Sequence, residues 1–192
     1  MKLRLFVAIN LPEEFKIRIS GKIKALKPLF TFPARFLESE NWHLTLSFLG
    51  YQEQLTLNSI VQAITKTSAS YPAPKIEISD IDYGPILADG GSKQVRMIWL
   101  NCSKATSQTL SLIKNNLEND LADFGVRFRR ENREFHSHLT LARFAPSSKL
   151  YLPQITEDFT YEFYPLSLDL MESHLKRSGA EYSLFSSFAF RL

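Results

Sequence analysis

Short runs in which apolar and polar residues alternate recur along this chain, separated by longer stretches whose apolar residues fall three and four apart. The first pattern suits a strand with one buried face and the second an amphipathic helix. Alternation predicts a strand over 3–9. Asn10-Leu11-Pro12-Glu13-Glu14 follows, with proline and acids where a helix begins, and the helix is expected to reach about Leu26 before Lys27-Pro28 stops it. A second strand spans 42–49, closed by Gly50, and Leu57, Ile60, Val61 and Ile64 mark a helix over 55–69. Pro72 and Pro74 end it. Strands are expected over 76–83 and 95–100, with a turn at Ala88-Asp89-Gly90-Gly91-Ser92 between them. Leu110, Ile113, Leu117 and Leu121 define the longest helix, 104–124, with Gly125 as its C-terminal cap. Further strands are expected over 126–130, 135–144, within 159–176 and over 181–191, with Ser178-Gly179 as a hairpin turn.

Helices and strands in this order, with no Gly-x-Gly-x-x-Gly or Walker A loop after any strand, point to an α+β protein and away from nucleotide-binding parallel sheets. The expected architecture is two similar lobes, each a mixed or antiparallel sheet with outer helices, around a central cleft. No linker divides residues 1–192, so the lobes are expected to form one domain. The apolar run at the start is too short for a secretory leader and far short of a membrane span. Cys102 is the only cysteine, which leaves no internal disulfide or cysteine-based zinc site and favours a reducing, cytoplasmic setting. A net charge of +3 permits an anionic ligand without demanding one.

Two of the alternating runs carry the same tetrapeptide. His43-Leu44-Thr45-Leu46 returns as His138-Leu139-Thr140-Leu141, 95 residues on in a chain of 192. A strand sends residues i and i+2 to one face, so each copy presents a histidine and a threonine together and sends its leucines to the other side. One copy would mean little, because threonine is an ordinary strand residue. Two copies at half-chain spacing suggest a shared cleft holding two imidazoles and two hydroxyls. Imidazole pairs suit acid–base chemistry, since an unperturbed pKa of about 6.5 lets neutral and protonated forms coexist near neutrality. Hydroxyls suit phosphate oxygens.

The stretches Arg4 to Pro12, Asn41 to Gly50, Arg96 to Leu100 and Phe135 to Arg143, with Ser173-His174-Leu175, Gly179 and Tyr182 near the end, resemble the 2H phosphoesterases. They are most similar to the branch of RNA 2′,3′-cyclic phosphodiesterases also called 2′–5′ RNA ligases. One departure is Ser137, where that branch usually has proline. The resemblance implies hydrolysis of RNA 2′,3′-cyclic phosphate ends to 2′-phosphomonoesters, without metal or other cofactor. It implies His43 as proton donor, His138 as proton acceptor, and Thr45, Thr140 and Arg143 as phosphate-binding groups. The partners it implies are RNA ends or cyclic-phosphate nucleotides, and no membrane, with the protein expected to be monomeric. Reversible 2′–5′ ligation by the same groups and an idle RNA-binding module stand as alternatives. The intact pairs of histidine and threonine argue against the module.

Other residues carry two readings. Arg127, Arg129, Arg130 and Arg133 fit either a rim that tracks phosphates or the solvated face of an edge strand, with Arg133 the one expected to face the cleft. His136 shares the face of His138 by the period of two, but the rest of a metal set is missing, so support at the strand entry is expected. His174 is expected to be structural or exposed. Trp42 could stack on a base, whereas Phe48, which alternates away from His43, and Trp99 are assigned to the core.

Overall fold

The computed structural model describes residues 2–85, 95–145, 152–155, 159–177 and 179–191. The expected turn at 88–92 and Ser178 lie outside them. The first element, β1 (Lys2–Asn10), leads through Pro12 into α1 (Glu13–Leu26), which carries Glu13 and Glu14 in its first turn. Then follow β2 (Ala34–Phe36), β3 (His43–Glu53), α2 (Leu57–Ser70), β4 (Ile76–Gly84) and β5 (Met97–Cys102). The longest helix, α3 (Lys104–Asp123), opens on Ser103, whose side chain accepts a bond from the Thr106 backbone N–H at 3.1 Å. The chain ends with β6 (His138–Phe144), β7 (Tyr161–Phe163), β8 (Ser167–Lys176) and β9 (Gly179–Ala189).

The strands form two antiparallel sheets, ordered β3-β1-β8-β9 and β2-β6-β5-β4-β7. Neither sheet is a contiguous half of the chain. The first joins N-terminal strands to the last hairpin, and the second is built mainly from the middle. Helices cross over as well: Phe15 of α1 stacks on Tyr161 of β7 at 4.4 Å, in the second sheet, while α3 lies against α2 and β3. A buried core runs from Leu5, Val7 and Leu44 through Ile60 and Leu117 to Ile98, Leu139 and Leu141. Inside it, Glu118 of α3 accepts from Ser47 of β3 at 2.9 Å and pairs with Lys114 at 2.7 Å, so a buried ionic group pins the helix behind the first histidine strand.

Three expectations fail. The first histidine strand does not close at Gly50 but runs on through it to Glu53, paired with β1. Residues 126–130 form no strand, because the end of α3 uses them otherwise. Gly125, at φ 78°, donates to the Ala122 carbonyl and Val126 donates to that of Leu121, a helix-terminating pattern that sends Val126 into the core. The second histidine strand begins at His138 and not at Phe135. In addition, β2 was not foreseen; it has three residues and borrows its ladder from β6.

Candidate active site

β3 is an edge strand of the first sheet and lies against β6 of the second. Each carries one copy of the repeated tetrapeptide. Leu44, Leu46, Leu139 and Leu141 are buried, whereas His43, Thr45, His138 and Thr140 are partly exposed, as the alternation requires. The likeness then goes beyond the tetrapeptide. Between Val7 and Ala8 the pairing of β1 with β3 slips by one, leaving Leu46 as an extra residue on β3. Between Ile98 and Trp99 the pairing of β5 with β6 slips in the same way, leaving Leu141 extra on β6. A bulge of this kind shifts the alternation by one residue. Phe48 therefore returns to the face of His43, half exposed and in ring contact with Phe6 at 5.9 Å, and is not the core residue expected. At the matching position of the second copy, Arg143 returns to the face of His138.

Both imidazoles are held from two residues back. His138 Nδ1 lies 2.8 Å from the carbonyl of His136, and His43 bonds to the backbone of Asn41. A ring that donates Nδ1–H to a carbonyl keeps its Nε2 lone pair for a proton. Around His43 pack Phe6 at 4.8 Å and Tyr182 at 4.9 Å, and the Tyr182 backbone N–H donates to Asn41 Oδ1 at 3.1 Å. His138 stacks on Trp99 at 3.9 Å. Across the ladders, Asn10 stands opposite His43 and Asn101 opposite His138, each asparagine donating from Nδ2 to an aspartate at 2.7 Å (Asp169 and Asp80).

Burial depresses both histidines. His43 falls to about 4, chiefly by desolvation, with the Arg143 cation adding to the effect and the Asn41 backbone bond opposing it. His138 is lowered too, again mostly by desolvation, with the His136 backbone bond opposing it and the Arg133 cation and the His136 ring adding to the effect. The expectation of two unperturbed imidazoles thus gives way to two that are neutral in the free protein at pH 7.

The remaining candidates separate. Trp42 is buried, its indole N–H bonded to the Leu37 carbonyl at 3.1 Å. Trp99, expected in the core, lies on the face opposite Ile98 and Leu100 and supports His138. His136 lies before the strand, so the period of two does not apply; its ring is exposed near Glu134 and its carbonyl orients His138. Arg130 binds the Glu118 carbonyl at 2.6 Å, and the Arg127 carbonyl accepts from Gln52, so these two serve the end of α3 and its surroundings. Arg133 is exposed, pairs with Glu131 at 2.8 Å, and is near enough to act on His138. His174 is exposed and bonds to Ser183 across the hairpin at 2.9 Å. Ser137, at the departure from the usual proline, is buried; its N–H donates to Ser107 Oγ at 3.2 Å and its hydroxyl to the Cys102 sulfur at 3.2 Å, anchoring the strand entry. Burial pushes the Cys102 thiol up to about 11, which removes it as a nucleophile. Among the described residues no group of three or more histidine, cysteine or acidic side chains is gathered to hold a metal ion, and no helix is long and apolar enough to cross a membrane.

Sequence reasoning missed Phe6, Tyr182, Trp99 and the two asparagines. For Trp99 the signal was present, since alternation with Ile98 and Leu100 already turns it from the core. The others are brought in by strand pairing alone.

The profile of the 2′-5′ RNA ligase superfamily matches residues 13–180. The chain is similar to an RNA 2′,3′-cyclic phosphodiesterase of Methanocaldococcus jannaschii, 29% identical over 193 residues that cover 95% of this chain and 98% of that one. It is also similar to one of Bacillus subtilis, 25% identical over 138 residues covering 72% and 69%. Among solved structures, TT0787 of Thermus thermophilus superimposes with a TM-score of 0.77 at 22% identity, covering 98% of each chain. E. coli LigT in complex with 3′-AMP gives 0.71 at 24% identity, covering 100% of both.

Proposed function

The chain belongs to the 2′-5′ RNA ligase superfamily, and from that premise we propose that it hydrolyses RNA 2′,3′-cyclic phosphate ends to 2′-phosphomonoesters, using its two histidines as acid and base. The relatives, RNA 2′,3′-cyclic phosphodiesterases, support the substrate class. What supports the chemistry is the placement of the two motif strands: β3 lies against β6, and Arg143 of the second motif is near enough to His43 of the first to help lower its pKa.

In the proposed reaction a water approaches phosphorus opposite O3′. His138, with Nδ1 committed to the His136 carbonyl, takes the water's proton on Nε2 as the new P–O bond forms. The P–O3′ bond breaks, and His43 delivers its proton to O3′, leaving the phosphate on O2′. Thr45 and Thr140 hydroxyls donate to the phosphoryl oxygens and the Arg143 guanidinium offsets their charge, donors set in place before the charge develops. His43 begins neutral at pH 7, so it must gain its proton with the substrate. An anionic phosphate beside it counters Arg143 and desolvation and raises its pKa.

Imidazoles carry both proton transfers and a cation with two hydroxyls meets the phosphate, so the proposal requires no metal. The test is incubation with an oligonucleotide ending in a 2′,3′-cyclic phosphate, in EDTA. The expected product is the 2′-phosphate. Activity lost in EDTA and restored by a divalent ion would refute the metal-free reaction, and a 3′-phosphate product would reverse the assignment of the leaving oxygen.

A further inference from the structure

Arg35 of β2 stands directly opposite Arg143 of β6 in the ladder, so the two guanidinium groups leave the second sheet on one face. Like charges placed directly across a ladder destabilise it unless an anion lies between or beside them. Arg35 is exposed, and among the described residues neither arginine has a carboxylate partner. The Arg35 guanidinium reaches the tip of the β8–β9 hairpin, where Gly179 has φ 122° and a Cβ would collide with it, so this cation spans from one sheet to the other. It also lines an open depression of about 320 Å³ with Lys27, Phe30, Phe32, Ala34 and Phe36, where Lys27 lies over the Phe36 ring at 5.6 Å. The rings of Phe30, Phe32 and Phe36 are only partly buried, and cations beside accessible ring edges are the chemistry by which proteins hold single-stranded nucleic acid, the cation on the phosphate and the rings against a base.

We propose that Arg35 and this depression form a subsite for the nucleotide preceding the cyclic phosphate, with Arg35 on the connecting phosphodiester. The inference rests on the reaction proposed above and names its substrate more narrowly, as an RNA end of two or more nucleotides. Arg143 holds the reacting phosphate and Arg35 the next one along the chain. A cyclic mononucleotide has no group for Arg35 to hold.

The test compares a 2′,3′-cyclic mononucleotide with a dinucleotide ending in the same cyclic phosphate, for the wild type, Arg35→Gln and Arg35→Lys. A charge-assisted contact of this kind is worth about tenfold in affinity or more. The wild type should show the lower KM for the dinucleotide. Arg35→Gln should raise that KM about tenfold and change the mononucleotide's by less than about twofold, and Arg35→Lys should fall between. Calorimetric binding of the two 2′-phosphate products gives the same comparison without turnover. If the products show the Arg35-dependent difference while the cyclic phosphates are not opened, the subsite stands and the proposed reaction falls. The subsite is overturned if Arg35→Gln weakens both ligands equally, which would join Arg35 to the reacting phosphate. It is overturned equally if only the melting temperature drops, which would leave Arg35 as a prop for the hairpin.

Discussion

The two histidines illustrate how far burial moves a residue from its ordinary chemistry. Each imidazole is pressed against aromatic rings, His43 on Phe6 and Tyr182, His138 on Trp99. Desolvation removes the proton that solution would leave on half of them near pH 6.5. Turnover by the proposed route needs one ring protonated and one neutral. The rate kcat/KM should therefore climb through about pH 4 and fall through a limb below the ordinary histidine range, with its maximum on the acid side of neutrality. The profile of kcat should lie at higher pH, because bound phosphate restores the proton to His43. An alkaline limb of kcat/KM above pH 7 would contradict this. Replacement of either histidine by alanine should cost about 10²–10⁴-fold in kcat, with the double variant far from the product of the two. Thr45→Val and Thr140→Val, each deleting one donor, should cost roughly 10²–10³-fold at most. His43→Ala should also lower stability by about 1 kcal/mol, since the ring fills space between Phe6 and Tyr182; thermal melts would read that separately from the kinetic loss.

At the scale of elements, each motif strand carries an irregularity just after its histidine and threonine, and β3 has a second one at Leu49. The extra residues Leu46 and Leu141 turn Phe48 and Arg143 onto the histidine face, and an uninterrupted ladder would bury both. The first motif strand is held from behind by α3 through Ser47, Glu118 and Lys114. With Lys114 and Glu118 both buried, Glu118→Ala leaves an uncompensated cation, and denaturant unfolding should report a loss of about 3–5 kcal/mol. Glu118→Gln, which keeps an acceptor for Ser47, should lose less. Equal stability of the alanine variant and the wild type would mean that Lys114 reaches water without its partner.

For the whole molecule, the depressed histidines tie stability to pH. An unfolded histidine titrates near 6.5 and folded His43 near 4, so between those values the unfolded chain holds a proton that the folded one does not. Stability then rises with pH across that window and is lost on acidification, by up to about 3 kcal/mol for His43 alone at pH 4. His138 adds in the same direction. Melting temperatures from pH 7 to 4 should fall, and His43→Gln should flatten the dependence. An unchanged slope in that variant would assign the acid sensitivity to other groups.

The sequence by itself determined the local elements and the chemical repeat. Alternation and helical spacing are properties of neighbours along the chain, so α1, α3, β3 and the faces of His43 and Thr45 could be read from it, as could the second motif and the resemblance it carries. Tertiary structure decided what depends on partners far apart in the chain. The bulges at Leu46 and Leu141 exist only because β1 and β5 pair with the motif strands in a slipped register, and that register brings Phe48 and Arg143 to the histidine face. β2 exists only because β6 offers it a ladder, and 126–130 is no strand because the end of α3 takes up its first residues. The rings packed on both histidines come from neighbouring strands: Phe6 and Tyr182 reach His43 in a sheet assembled from both ends of the chain, and Trp99 reaches His138 from the paired strand β5. Hydrophobic period fixes which way a side chain faces within its own strand, and only pairing and packing fix what it meets there.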